Sequence, residues 1–294
     1  MNSRAQIRLL SNGRLHLQDG PIDLIIEAFG ASREVQNAYR SACARFETVL
    51  DELCGELGLL RQPCSQESDW PRLAVARRMM AAVMPYASEH FITPMAAVAG
   101  AVAEEVLAEM LAGAELSRAY ANDGGDIALH LAPGEKFVIG MIERPDRPSI
   151  FGTACIDSSN PVRGIATSGW RGRSFSLGVA DAVTVLADRA AAADAAATII
   201  ANAVDLPGHP AIVRVRASDL APDTDLGDRL VTQAVGELSA TDVNQALLAG
   251  INAAERLEKI GLIRSAALCL QGETRLVGSV SIPLAVHERT LVHA

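Results

Sequence analysis

Two rhythms of apolar residues alternate along this chain and divide it into strands and helices. Within residues 7–29 the stretches IRLL, RLHLQ and IDLIIEAF alternate apolar and polar positions, the period of a half-buried strand. Asn12-Gly13 and Asp19-Gly20 lie between them and favour tight hairpin turns, so an antiparallel sheet begins at once. The period then lengthens. Phe46, Val49, Leu50, Leu53, Leu57 and Leu60 recur at helical spacing, which predicts a long helix from Ser32, its cap, to Leu60. Pro71 stands where a second helix starts and Pro85 disturbs its end, while Pro94 opens a third that runs to Met110.

Farther along, 117–121 and 127–131 read as strands joined through Asn122-Asp123-Gly124-Gly125-Asp126, and 136–143 and 150–156 continue the sheet around a Pro-rich loop at 145–148. Residues 181–187, DAVTVLA, form a short apolar run expected of a strand buried on both faces. A helix capped by Asp188 follows to Val204. A strand at 211–216, an acidic loop at 218–228 that leads through a short helix to an amphipathic helix at 244–260 ended by Gly261, and a hairpin of 263–270 with 275–282 complete the reading. Strands before, between and after helices, with hairpins at both ends, predict an α+β fold: mixed, largely antiparallel sheets with packed helices in two layers, one domain over residues 1–294.

Candidate chemistry concentrates where that pattern is broken. From Ala190 to Ile200 the central helix is almost entirely apolar except for Asp194 and Thr198, which stack one turn apart on one face. A carboxylate there points to solvent, accepts hydrogen bonds from a neighbouring backbone, or holds a metal ion, since burial without compensation costs several kcal/mol. The loop TSGWRGRSFSLG before the strand interleaves glycines, hydroxyls and two arginines, a composition suited to holding a phosphate or carboxylate. Its candidates are Thr167, Ser168, Gly169, Arg171, Arg173 and Ser176. The Gly124-Gly125 turn frees backbone amides to approach a ligand, and Asp123 and Asp126 beside it either orient that ligand or merely form the turn. The small face of the third helix, Ala96 to Ala103, suits either tight packing or a nucleotide cradle.

In order and spacing, the segments GGD at 124–126, TSG at 167–169 and ADAAAT at 193–198 resemble the ApbE family of FAD:protein FMN transferases, and more closely its uncharacterised relatives, over about residues 94–204. The resemblance implies a T-fold-related α+β architecture. It also implies Mg2+ held by Asp194, Thr198 and a main-chain carbonyl near Ala99, with FAD or FMN beside Gly124, Gly125 and Asp126. In that reading Asp126 orients the substrate, and Arg171 or Arg173 holds phosphate in phosphoryl or nucleotidyl transfer or hydrolysis. The chain departs from the transferases in two places. RSFSLG at 173–178 stands where they carry His-x-x-Asp-Pro-x-Thr-Gly, and Gly100 stands where they carry Lys, which weighs against FMN transfer and leaves the metal pair intact. A non-catalytic ligand-binding or accessory protein on the same fold is therefore the competing expectation. A role in sulfur assimilation through Cys64 or Cys155 is a third, with Cys64 expected to be exposed in its polar loop.

Composition narrows the partners. With 294 residues, 49% of them apolar, the chain has ample core, and a net charge of −9 argues against a general binder of nucleic acid or anionic lipid while leaving room for a local basic pocket. A small anionic ligand or nucleotide is the expected partner, and a homo-oligomer stays open. Five cysteines show no ligand spacing and an odd count, which argues for free thiols rather than a disulfide framework. The N-terminus lacks a signal-like apolar core, and the uncharged run at 91–103 is too short to span a bilayer, so a cytoplasmic location is expected.

Overall fold

The computed structural model describes residues 4–142 and 150–278. In chain order it runs β1 (Gln6–Leu9), β2 (Leu15–Asp19), β3 (Ile22–Phe29), α1 (Ser32–Leu60), α2 (Ala74–Val83), α3 (Val98–Ala112), β4 (Arg118–Asp123), β5 (Asp126–Leu131), β6 (Lys136–Ile142), β7 (Ile150–Asp157), β8 (Gly164–Ser168) and β9 (Ala182–Ala187). There follow α4 (Ala190–Ala203), β10 (Ile212–Arg216), α5 (Ala217–Leu220), β11 (Leu230–Val235), α6 (Ala240–Lys259), β12 (Ser265–Leu270) and β13 (Glu273–Gly278). The loop at 145–148, the end of the last expected strand beyond Gly278, and His287 and His293 lie outside the described residues.

Nine strands pair antiparallel in the order β1-β2-β3-β4-β5-β8-β9-β12-β13, so the mixed, antiparallel α+β expectation holds. Helices cover one face with a core that includes Leu24, Phe46, Met79, Met110, Val183 and Ile200. The β6–β7 pair covers part of the other face over a second cluster around Ile156, Ile165, Leu186 and Cys269. This double cover explains why every residue of β9 is buried although its neighbours run antiparallel to it.

Helix α4 is gripped at both ends by glycines. A Cβ on Gly100 of α3 would stand 2.4 Å from Ala190 O, and one on Gly164 of β8 would stand 2.1 Å from the carbonyl carbon of Arg189. At the other end, a Cβ on Gly178 would stand 2.0 Å from Ala201 O. Only backbones without side chains pack that closely, and the position of Asp194 and Thr198 follows from the grip.

Several local expectations are corrected. Ser32 is the first residue of α1 and Ala31 takes the cap position without a side-chain bond. Asp188 does not cap α4; Arg189 precedes the helix, and Asp188 holds Arg264 through both carboxylate oxygens at 2.7 and 2.6 Å. The second helix starts at Ala74, because the Glu56 carboxylate takes the Arg72 and Leu73 amides at 2.6 and 3.1 Å and fixes the preceding segment as a loop. Between the acidic loop and α6, where a short helix is expected, Leu230–Val235 forms strand β11 instead. Cys64 is buried rather than exposed, its thiol 3.6 Å from Met80 Sδ and pushed up to about 11 by burial. A thiol so placed is a core side chain and not a reactive one. No helix among the described residues is long and apolar enough to cross a membrane.

Candidate functional site

A cleft of about 780 Å³ opens between the β4–β5 turn, the end of β8 with the loop after it, the start of α3, and one face of α4. The sheet builds its floor from a two-residue turn. Gly124 and Gly125 take φ of +64° and +117°, and the Asn122 side chain accepts from the Gly125 amide at 2.8 Å. Because Asp123 and Asp126 are paired across that turn, their carboxylates face the same side. Like charges opposite one another repel.

Asp126 ties the turn to β8 by accepting from the Thr167 amide at 3.1 Å, while the Thr167 hydroxyl bonds that of Thr184 at 2.9 Å. Asp123 accepts from the Asp23 amide at 3.3 Å. Across the cleft, Asp194 on α4 accepts from the Gly100 amide at 3.0 Å, and the Ala99 amide also faces it. Asp194 thus satisfies first-turn amides of α3 that the helix itself leaves unpaired. Ala99 meets Asp194 by its amide and lines the same cleft. Thr198 lines the cleft one turn beyond.

Burial lifts all three carboxyls. Burial raises Asp126 to about 7, helped by the neighbouring Asp123 charge and opposed by the Thr167 amide and Arg173. Asp123 also rises to about 7 by burial, against the Asp23 amide and Arg173. Asp194 lies well above the ordinary range because of burial and then the charge of Asp126, with the α3 amides opposing. Both Asp126 and Asp194 nevertheless keep partial solvent contact through the cleft.

The cation facing this group is Arg173. Its guanidinium lies over Gly124, so close that a Cβ there would stand 1.6 Å from Nη2. It is exposed at the cleft mouth and has no hydrogen-bond or ion-pair partner among the described residues. Ser168 and Gly169 join it in lining the cleft, whereas Arg171 and Ser176 are placed elsewhere. Arg171 stacks on Trp170 at 4.3 Å and donates to the buried Asp181, which also accepts from the Trp170 indole and the Gln271 amide. Ser176 is buried, with its hydroxyl accepting from the Gly178 amide at 3.2 Å. These two residues hold the loop from which Arg173 projects.

Sequence reasoning missed Asn122, Asn202 and the wall formed by Thr93 and Asp225, whose side chains bond at 2.5 Å. Asn202 had a signal, since it continues the four-residue spacing of Asp194 and Thr198. Asp225 had none, lying far along the chain in an acidic loop.

All donors offered to a cation here are oxygens, which suits a hard ion. Among the described residues no three acidic, His or Cys side chains converge enough to hold one unaided. Asp194 and Thr198, with Asp126 near, fit a cation that completes its shell with water and ligand phosphate, as Mg2+ commonly does.

A family model described as AbpE bacteria matches residues 7–276. A UPF0280 protein of Methanopyrus kandleri is 37% identical over 145 residues, 49% of this chain and 56% of that protein. Another, from Methanothermobacter thermautotrophicus, is 36% identical over 153 residues, 51% of this chain and 57% of its own length. The matched stretch therefore spans little more than half of these curated relatives. Among solved structures, the apo flavinyl transferase ApbE of Pseudomonas stutzeri overlays 94% of this chain on 93% of its own, with a TM-score of 0.40 and 10% identity. The flavin transferase ApbE of Vibrio cholerae overlays 94% on 97% with a TM-score of 0.33 and 13% identity.

Proposed function

The chain belongs to the AbpE bacteria family, and on that premise we propose that its cleft binds a phosphate-bearing ligand, a nucleotide such as FAD or FMN, together with a divalent cation. The observation that supports this reading most is that Asp123, Asp126 and Asp194 line one cleft together with the guanidinium of Arg173. Such a group is stable at neutral pH only with protons or a cation present. In this reading Asp194 and Thr198 hold the ion, Arg173 takes phosphate oxygens as a planar fork, and the amides of the Gly124-Gly125 turn approach the ligand. Asp126, fixed by the Thr167 amide, orients the group to be transferred or hydrolysed. The ion supplies neutralisation of developing charge on the phosphates.

Binding without turnover is the second reading. It is favoured by a specific observation: Asp194 already satisfies the first turn of α3, so its burial has a structural reason independent of chemistry. Calorimetric titration of FAD, FMN, ADP and AMP with and without Mg2+, followed by chromatographic analysis of the mixtures, separates the two. Cation-dependent binding with appearance of a cleaved or transferred product supports an enzyme; binding with intact ligand leaves the binding protein; absence of binding in every mixture rejects both.

A further inference from the structure

The face of α4 that carries Asp194 and Thr198 carries a third polar residue, Asn202, four positions beyond Thr198, and all three line the cleft. At 1.5 Å per residue, Asn202 stands about 12 Å along the helix from Asp194. Its neighbours set the orientation of its amide. The Leu177 amide donates to Oδ1 at 2.9 Å, and the Ser176 hydroxyl lies 3.4 Å from the same atom. A backbone N–H needs an acceptor, so the oxygen faces Leu177 and Nδ2 faces away. No group among the described residues accepts from Nδ2.

The two ends of the cleft therefore differ. One end holds three carboxylates and Arg173. The other offers an uncharged donor fixed in direction, beside Leu177 and the partly exposed ring of Phe175. A phosphate seeks the first end; a ring carbonyl or ring nitrogen suits the second. We propose that Asn202 is a specificity-determining residue that donates from Nδ2 to a neutral acceptor on the ring-bearing end of a nucleotide, remote from its phosphate. The inference rests on the reading of the cleft as a phosphate-and-cation site. Asn202 rejects short anions by leaving them without this contact and rewards ligands long enough to reach it.

The test compares Mg2+-dependent affinities for FAD, FMN, ADP and pyrophosphate in the wild type, Asn202→Asp and Asn202→Ser. Asn202→Asp keeps an oxygen for the Leu177 amide while removing the donor, and Asn202→Ser withdraws Nδ2 without adding charge, leaving a hydroxyl on a shorter side chain that no longer reaches the Nδ2 position. The expected result is a loss of about tenfold or more for the preferred nucleotide in both variants, with pyrophosphate changed by about twofold or less. Unchanged nucleotide affinity in both variants overturns the assignment, as does an equal loss for pyrophosphate, which would mark Asn202 as a loop anchor only. Failure of the wild type to bind nucleotides and pyrophosphate alike would overturn the underlying reading as well, so the two failures are distinguishable.

Discussion

At Gly124 a side chain would meet the guanidinium of Arg173. The residue combines φ of +64° with a guanidinium that lies where a Cβ would stand, so its glycine has both a backbone reason and a side-chain packing reason. Gly124→Ala is expected to cost about 1 kcal/mol in strain and to push Arg173 aside, lowering nucleotide affinity roughly tenfold; calorimetric titration reads the second effect. Asp126 makes the opposite kind of prediction. Its carboxyl lies near 7 when folded against 3.8 as the ordinary value, so between those values the folded state binds the extra proton. Stability from this group is therefore full below about pH 4, declines as pH rises to about 7, and stays reduced above. Asp126→Asn should remove that decline and raise the cation-free melting temperature at pH 8 by a few degrees. A variant that melts lower than wild type at pH 8 would contradict a net cost of the buried Asp126 charge.

On the scale of elements, α4 is the part the rest is fitted around. Gly100→Ala should cost at least about 2 kcal/mol, because its Cβ would meet backbone atoms of Ala190 and Ala191 that cannot move without displacing a helix. Gly55→Ala in α1, where nothing lies within 4 Å, should instead add about 0.5–1 kcal/mol. Urea denaturation of the pair measures the contrast. Much of this was legible beforehand. The polar pair on an alanine-rich helix, the Gly-Gly-Asp turn and the both-face burial of residues 181–187 all follow from spacing and composition. Helix α4 begins where expected, although the residue that was to cap it is held by Arg264 instead. Strand β11 was not legible, because Leu230–Val235 pairs only with β10 in a small separate sheet and shows no clean alternation of burial. Arg171 was indistinguishable from Arg173 by sequence, since only the buried Asp181 decides which of the two turns inward.

For the whole molecule, the nine-stranded sheet and the helices on one of its faces bring together residues as distant in sequence as Thr93, Asp126, Asp194 and Asp225 around one cleft. The antiparallel α+β architecture could be read from hairpin turns and helical stripes. Contacts between distant segments could not, because no local pattern encodes which loop closes a wall. A cation that binds the folded cleft alone must stabilise the entire fold. The pH dependence should follow: without divalent ions the melting temperature falls between pH 5 and 8, and Mg2+ with nucleotide restores it mainly at the upper end, where the carboxylates are ionised. The most direct measurement is thermal melting of the wild type and Asp194→Ala at pH 8 with FAD, FMN, ADP and AMP, each with and without Mg2+. The expected result is a cation-dependent rise for at least one nucleotide, about 2.7 kcal/mol at 100 times its dissociation constant, that is absent in Asp194→Ala. No rise with any nucleotide, or a rise that ignores the cation and survives in the variant, would contradict a phosphate-and-cation site in this cleft.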